Sequence, residues 1–485
     1  MQVNLITLEK QQYLDEWSLT TSQKAVMADL ELQPIVDIMA ADDHVIAKIA
    51  TRLFFTPLTT SRALTWRQAT VKHALMHPDY YEWLYQFTTT TIETVRQNFW
   101  ELGHESASYH LYNKSRLLTQ YLQAIGTILD KPLPDHPAPA LQQWYQSLDT
   151  LFNGQLEPMK TFLRQVLFDH GYVLPAHLAT NLDTTVDEVI DVVPPHRFQK
   201  VFTKLKIHAQ GFEIAERDDH SAKALEHYKN QAVMKLATIL VNVYQEVVNW
   251  FQELRLETGW LVGVIQLSRR LPAAPRCYAT LASSMEAQQL INPLISLLLN
   301  QPAVANDFLP VQTALTVITG ANQGGKTTFL RAVGLGELMA QVGMFVMATC
   351  YQTPPFEMVL THFKREEDQG ERHGKLDDEL QRMDQLIHVM STSSLVLMNE
   401  SFASTNEHAG SQINFQITHG LLEAGVTVIA VSHQFEYTQL VQRYHCRPYF
   451  LVAQRQANGN RSYHMLPAAP KATSYGLDIY HRLIR

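Results

Sequence analysis

The stretch "ALTVITGANQGGKTTF", residues 314–329, decides the fold of the C-terminal half of this chain. Its first six residues form a short β-rich run, and Gly320 to Thr327 then match the pattern G-x-x-x-x-G-K-[ST]. Glycines in this pattern let backbone N–H groups turn inward around phosphates, and the helix that follows points its positive end at the same anion. The stretch therefore predicts a nucleotide phosphate loop between a buried strand and a helix.

The bound nucleotide is predicted to be ATP, accompanied by Mg²⁺. Lys326 is expected to reach the β- and γ-phosphates, and Thr327 is expected to ligate the metal. The predicted nucleotide-binding residues are Gly320, Ala321, Asn322, Gln323, Gly324, Gly325, Lys326, Thr327 and Thr328.

A second β-rich run, "LVLMNESFAST" at residues 395–405, ends in Asn399 and Glu400. In P-loop ATPases such a strand ends in a carboxylate that orients Mg²⁺, and a glutamate directly after it can polarise the attacking water. Glu400 keeps the second role open. Asn399 can accept a hydrogen bond from Thr327 or from a metal-bound water, but it brings no negative charge. The sequence therefore predicts a slow ATPase with weak Mg²⁺ affinity and a metal site at Thr327 and Asn399.

His433 follows the next β-rich run, "VTVIAVS" at residues 426–432. It has two interpretations, as a sensor that contacts the γ-phosphate or as a loop residue that caps a strand end. Its place after a phosphate loop and a strand-end glutamate favours the sensor. The predicted catalytic residues are Glu400 as the base or water-orienting group, Lys326 as the charge stabiliser and His433 as the sensor.

The apolar pattern divides the chain into a helical region and an α/β region. Before residue 271 the periodicity is largely helical, and it is clearest over residues 233–254. Packing in a helical bundle is favoured over ligand binding for this stripe. After residue 300, short β-rich runs alternate with helical segments, which indicates a mainly parallel sheet. The stripe consists of Val233, Leu236, Leu240, Val243, Val247, Trp250 and Leu254, widened by Ala237, Tyr244, Val248 and Phe251.

Composition predicts a soluble, cytoplasmic protein without a membrane partner. Of the 485 residues, 46% are apolar and 18% are charged, which is typical of globular chains. The net charge of −8 neither supports nor excludes DNA binding, which would need a local basic patch. Three widely spaced cysteines fit a reducing compartment and exclude a disulfide framework. The N-terminus has no signal-peptide core, and no apolar window is long enough to span a membrane.

Several motifs, in their order along the chain, resemble the ATPase domain of MutS-family proteins. The phosphate loop is similar to the family's G-P-N-M-G-G-K-S, and "VSHQFEYTQL" at 431–440 is similar to its A-T-H-Y-F-E-L-T-Q-L. The resemblance covers about residues 260–485. Further MutS-like segments are "INPLIS" at 291–296, "AND" at 305–307, "NESFASTNEHAG" at 399–410 and "SYGLDIYHRL" at 474–483.

The resemblance implies a multidomain fold with an all-α core and lever region followed by an α/β P-loop ATPase domain of the ABC type. It predicts a helical N-terminal core over residues 1–130 and a helical core and lever arm over 131–270, which contains the helix at 233–254. Residues 271–485 then form the ATPase domain. Because the start of the chain already resembles the core, we expect a short form without the mismatch-recognition domain and without direct mismatch sensing.

The resemblance also implies a homodimer in which each ATP lies between the loop of one subunit and a signature segment of the other. That segment is "HGKLDDEL" at residues 373–380, at the start of an amphipathic helix. Gly374 and Lys375 are expected to face the partner's nucleotide. The family's S-T-F is replaced here by Gly374, Lys375 and Leu376, so backbone N–H groups and the lysine must substitute for the serine hydroxyl.

Three functions stay open at this point. The first is an ATP-driven dimeric switch that acts on DNA in repair or recombination. The second keeps the ATP switch and replaces DNA by a protein partner, because residues 1–270 contain no lysine- or arginine-rich cluster. The third is a nucleotide-binding pseudo-ATPase, which Asn399 and the missing signature serine suggest.

Overall fold

The fold is described by a computed structural model. It covers residues 2–8, 13–98, 107–166, 219–310, 313–320, 323–365, 374–455 and 461–470, together with four short strands between residues 172 and 191. The chain forms two compact units. One consists of Met1–Val3, Glu82–Pro137 and Leu141–Arg255, and the other of Asn4–Tyr81, Ala138–Ala140 and Leu256–Arg485. The domain boundaries expected near residues 130 and 270 stay predictions.

Helices dominate the first half of the chain, as the apolar periodicity predicts. Capping side chains set the starts of some of these helices: the Asp43 carboxylate, for example, accepts hydrogen bonds from the backbone N–H groups of Val45 and Ile46. The described helices are α1 (Thr21–Asp29), α2 (Gln33–Ala40), α3 (His44–Phe54), α4 (Ser61–Met76), α5 (Pro78–Gln97), α6 (Ala107–Asp130), α7 (Pro139–Phe152) and α8 (Leu156–Val166).

Four short strands interrupt this helical region, so it is not purely α. They are β1 (Tyr172–Val173), β2 (Ala176–Leu178), β3 (Thr184–Val186) and β4 (Ile190–Asp191). β1 pairs with β4 and β2 pairs with β3, both in antiparallel fashion.

The long helix α9 (Asp219–Arg270) confirms the helix predicted over 233–254 and extends it at both ends. The stripe packs as a bundle interface: the Trp250 and Trp144 rings stack with centroids 6.2 Å apart, and the Phe251 and Tyr121 rings lie 4.6 Å apart. Val243 departs from the prediction, because its side chain is 43% exposed. The side chains of Val233 and Leu236 lie outside the described residues, and the buried members among the rest of the stripe are Ala237, Leu240, Val247, Trp250, Phe251 and Leu254.

The remainder of the chain is an α/β arrangement. Its first part contains β5 (Cys277–Tyr278), β6 (Thr280–Leu281), β7 (Glu286–Leu290), α10 (Pro293–Leu299), β8 (Asn306–Phe308), β9 (Leu315–Thr319), α11 (Lys326–Gln341), β10 (Phe345–Val346) and β11 (Cys350–Thr353). Its second part contains β12 (Met358–Phe363), α12 (Lys375–Val389), β13 (Ser394–Asn399), α13 (Glu407–Glu423), β14 (Thr427–Val431), α14 (Phe435–Arg443), β15 (Tyr449–Arg455) and β16 (Arg461–Pro467).

The main sheet has six strands in the order β12-β13-β14-β9-β15-β16. All neighbours are parallel except β15 and β16, which confirms the mainly parallel sheet expected from the apolar runs. A smaller mixed sheet has the order β6-β11-β7-β8, and β5 pairs with β10. Strand β9, which precedes the phosphate loop, therefore lies in the interior of the main sheet.

Packing against the sheet buries both its strands and the helices around it. Helices α12, α13 and α14 contribute Met383, Leu421 and Tyr437 to a core that also contains Val396 of β13 and Val428 of β14. Full burial of an apolar side chain of this size stabilises a fold by about 1.5–3 kcal/mol. Helix α11 is buried along nearly its whole length. The strand ends that carry polar residues are thus held by a rigid frame.

None of the described helices is both long and apolar enough to cross a membrane. Cys277, Cys350 and Cys446 all have free thiols, as their spacing predicts.

Candidate nucleotide site

Three parallel strands bring the predicted site residues to one edge of the main sheet. β9 ends at Thr319, just before the phosphate loop, and its neighbour β14 ends shortly before His433. β13 lies beside β14, with Asn399 in register with Val431. Ligands of open α/β sheets bind at the carboxyl ends of the strands, which is where these residues meet.

The phosphate loop has the backbone that its glycines predict. Gly320 and Gly325 have φ values of 114° and 86°, in the left-handed region that favours glycine. A Cβ atom on Gly325 would lie 3.3 Å from Cδ1 of Tyr463, so the loop also passes close to strand β16. Ala321 and Asn322 lie outside the described residues, while Gln323 has a φ of 59°.

Helix α11 begins at Lys326 directly after the loop, with no side chain capping its N-terminus. Such an N-terminus presents backbone N–H groups to an anion. The Lys326 residue is buried, and its Nζ donates a hydrogen bond to the backbone oxygen of Gly320 over 3.0 Å. Burial lowers the pKa of Lys326, the Glu400 carboxylate opposes this shift, and Arg461 adds to it. A bound phosphate would offset the charge that burial disfavours.

Thr327 and Asn399 form the predicted metal pair. The Thr327 hydroxyl donates a hydrogen bond to Oδ1 of Asn399 over 3.1 Å. Within the described part of the chain there is no group of three His, Cys, Asp or Glu residues able to hold a metal ion. The hydroxyl and amide oxygens fit Mg²⁺, a cation that binds oxygen and usually takes much of its shell from water and substrate phosphates.

Glu400 and His433 form a direct pair, with a hydrogen bond between Nδ1 of His433 and Oε2 of Glu400. This bond raises the pKa of His433, while burial opposes the shift. Glu400 adopts a left-handed backbone with φ of 53°, and its N–H donates to the backbone oxygen of Val431 over 2.9 Å. The sequence predicted both residues as site members, but it did not predict their mutual bond.

Two asparagines that sequence reasoning did not single out support the site. Nδ2 of Asn292 donates to the backbone oxygen of Thr328 over 2.9 Å, which fixes the first turn of α11. The Asn306 amide donates to the backbone oxygen of Tyr463 and accepts from the N–H of Met465, which fixes β16 beside the loop. Both asparagines lie in segments that resemble MutS-family sequences, "INPLIS" and "AND". The sequence therefore marked these segments but did not indicate what the asparagines do.

Arg461 and Tyr463 add a basic and an aromatic group near the loop, and neither was predicted. Arg461 acts electrostatically on Lys326, and Tyr463 lies against Gly325 with about half of its side chain exposed. No local pattern in the sequence links β16 to a loop more than 130 residues earlier. These contacts come from the sheet order alone.

Gly374 and Lys375 mark the start of helix α12. Gly374 is its N-cap residue and Lys375 its first residue; both are exposed, and no side chain caps this N-terminus. His373, the first residue of the predicted signature segment, lies outside the described residues. The contact of Gly374 and Lys375 with a partner's nucleotide stays a prediction.

Comparison with protein families gives two matches on separate parts of the chain. Residues 59–274 match the family model of the MutS2 N-terminal domain, which covers most of the helical region. Residues 316–483 match the family model of MutS domain V, the ATPase domain of the MutS family, and this range contains every predicted catalytic residue. Together the two matches support a member of the MutS family.

Proposed function

We propose that this protein binds and hydrolyses ATP and works as a dimeric conformational switch on DNA. The observation that carries the ATP part is the meeting of three groups at one sheet edge: the phosphate loop, the Thr327–Asn399 pair and the Glu400–His433 pair. The match to MutS domain V supports the same conclusion independently.

Hydrolysis is proposed to proceed by in-line attack of water on the γ-phosphate. The Glu400 carboxylate orients this water and accepts its proton, and the bond to the β-phosphate oxygen breaks to give ADP and inorganic phosphate. Lys326 stabilises the negative charge on the phosphates, and His433 responds to the γ-phosphate through its bond with Glu400. Mg²⁺, held by Thr327 and Asn399 with the nucleotide, would supply further charge neutralisation.

The Glu400→Gln variant tests hydrolysis and dimerisation together. The amide keeps the shape of the side chain but cannot accept a proton, so ATP should bind and persist. Light scattering with ATP and Mg²⁺ should then show a dimer that the parental protein forms only transiently. Hydrolysis by Glu400→Gln at the parental rate would remove Glu400 from this role.

DNA binding rests on the family matches, since the net charge of −8 gives no general attraction. Fluorescence anisotropy with duplex, branched and single-stranded DNA, with and without ATP, tests it. We expect an affinity that falls linearly with the logarithm of the salt concentration, as phosphate contacts release counterions. If none of the three DNAs binds at low salt, DNA binding is rejected, and an ATP switch that acts on a protein partner is favoured.

A nucleotide-binding pseudo-ATPase is the second candidate, favoured by the neutral Asn399 beside Thr327. It predicts nucleotide binding with turnover at background, even at high Mg²⁺ concentration and in Asn399→Asp. Measurable turnover in the parental protein would exclude it.

A further inference from the structure

His362 is a fully buried residue of β12 that makes two specific hydrogen bonds. Its Nε2 lies 3.0 Å from the backbone oxygen of Glu379, and its Nδ1 lies 2.8 Å from the Ser401 hydroxyl. Burial lowers the pKa of His362 to about 4, and nearby Arg382 adds to this shift, so the ring is neutral at physiological pH. Because a carbonyl oxygen only accepts, Nε2 carries the hydrogen and Nδ1 accepts from Ser401.

Ser401 is the central residue of the turn that presents Glu400. The residues on either side of it, Glu400 and Phe402, have φ values of 53° and 56°, an arrangement that non-glycine residues rarely adopt. Tertiary contacts must therefore hold this turn. The Ser401 hydroxyl also donates to the backbone oxygen of His362 over 2.9 Å, so its one hydrogen is shared between that oxygen and Nδ1 of the ring.

The Phe402 side of the turn is fixed against the same histidine. The Phe402 side chain is fully buried, and its ring stacks on the His362 ring with centroids 5.2 Å apart. Nε2 of Gln434 donates to the backbone oxygen of Phe402 over 3.3 Å. His362 thus contacts both residues that follow Glu400.

The other end of His362 is anchored on α12, the helix that begins at Lys375. Its Glu379 carbonyl fixes the ring orientation, and therefore the direction in which Nδ1 faces Ser401. Helix α12 and the Glu400 turn are joined through this neutral ring and also directly, because the Glu379 carboxylate accepts a hydrogen bond from the backbone N–H of Phe402.

From these contacts we infer that His362 is a positioning residue for hydrolysis, which holds the Glu400 turn in its catalytic geometry and ties it to helix α12. The inference rests on the proposed ATPase function. Small displacements of a catalytic group lower turnover without weakening ground-state binding, so the effect should fall on kcat rather than on nucleotide affinity.

Four variants test the assignment. His362→Ala removes both bonds, while Ser401→Ala removes one hydroxyl and leaves the ring in place. His362→Asn keeps an acceptor at the position of Nδ1, and His362→Gln keeps a donor near the position of Nε2. We expect His362→Ala, His362→Gln and Ser401→Ala to lower the single-turnover rate constant of hydrolysis on the order of 10- to 100-fold with unchanged ATP affinity. His362→Asn should keep more of the rate than His362→Ala, because it loses only the bond to Glu379.

A double-mutant cycle with Glu400→Gln separates positioning from general damage. If His362 acts through Glu400, adding His362→Ala to Glu400→Gln should cost no further rate. A full additional loss, or parental kcat in both His362→Ala and Ser401→Ala, would overturn the inference and leave the proposed function standing. If His362→Ala does not fold, the same cycle is measured with Ser401→Ala. No turnover in the parental protein would overturn the proposed function, and this inference with it.

Discussion

The phosphate loop and the strand-end turn, residues 399–402, meet at the candidate nucleotide site but are built in different ways. In the loop, glycines stand at Gly320 and Gly325, where the backbone has positive φ, so a contiguous sequence encodes its shape. In the strand-end turn, Glu400 and Phe402 have positive φ without being glycine, and residues from β12 and the segment after β14 hold them there. The comparison indicates that the proposed nucleotide binding is encoded locally and that the proposed hydrolysis depends on tertiary contacts, so variants on the two sides should change different quantities.

The largest expected effect on the loop side comes from Lys326→Ala. Loss of a hydrogen bond from a charged donor costs about 1.5–3 kcal/mol, which is about 10- to 150-fold in the Kd for ATP. Calorimetric titration with ATP measures it. Lys24→Ala, an exposed site in α1, gives the same change in net charge and should leave Kd unchanged.

On the turn side, Gly410→Ala should lower stability and kcat. A Cβ atom at Gly410 would lie 2.4 Å from the backbone oxygen of Phe402, so the turn must shift. Such overpacking costs about 1–3 kcal/mol in the free energy of unfolding. Denaturant titration and single-turnover assays measure the two losses, and ATP affinity should change little.

Gly420→Ala provides the matched control in the same helix, α13. A Cβ atom there meets nothing within 4 Å, so the substitution should stabilise the helix by about 1 kcal/mol. Equal stability of the two alanine variants would show that the strand-end turn tolerates displacement, and the comparison would lose its basis.

Asn399→Asp sharpens the comparison where the two sides meet. The carboxylate keeps the acceptor for Thr327 and adds a negative charge to the proposed Mg²⁺ site. A charged acceptor binds more strongly than a neutral one by about 1 kcal/mol, so the affinity for Mg²⁺ with nucleotide should rise about fivefold. With EDTA in place of Mg²⁺ the sign should reverse, because the new charge repels the phosphates. Tighter binding of ATP by Asn399→Asp in EDTA would contradict this account.

The sequence predicted the parts of the site that are local patterns. The phosphate loop, the residues Asn399 and Glu400, and His433 each lie at the end of a recognisable β-rich run, and parallel strand pairing brings these runs together. His362 carries no such signal, because its role depends on Ser401, 39 residues away, and on the neutral state that burial gives its ring. Tyr463 was missed for a related reason, since only the order of the sheet strands brings β16 to the loop.

The smallest effect is the pH dependence of the Glu400–His433 pair. The bond to Glu400 raises the pKa of His433, so the protonated histidine holds the carboxylate at low pH. As pH rises through this raised pKa the histidine becomes neutral and releases Glu400, and kcat should rise with it. His433→Gln lacks the titrating group, so its kcat should lose this acidic limb, as a pH series of single-turnover rates would show.

The same pair makes an opposite prediction for stability. Because the folded-state pKa of His433 is raised, its stabilisation is complete below the unfolded-state pKa and is lost as pH rises through the folded one. The His433 side chain is 54% exposed, so solvent screening limits the effect to below about 1 kcal/mol. The melting temperature of the parental protein should therefore exceed that of His433→Gln at about pH 5.5, and the two melting temperatures should be close together at about pH 8.5. A difference that grows with pH would mean that the pair is not an ion pair, and Glu400 would then be free to act as a base across the whole range.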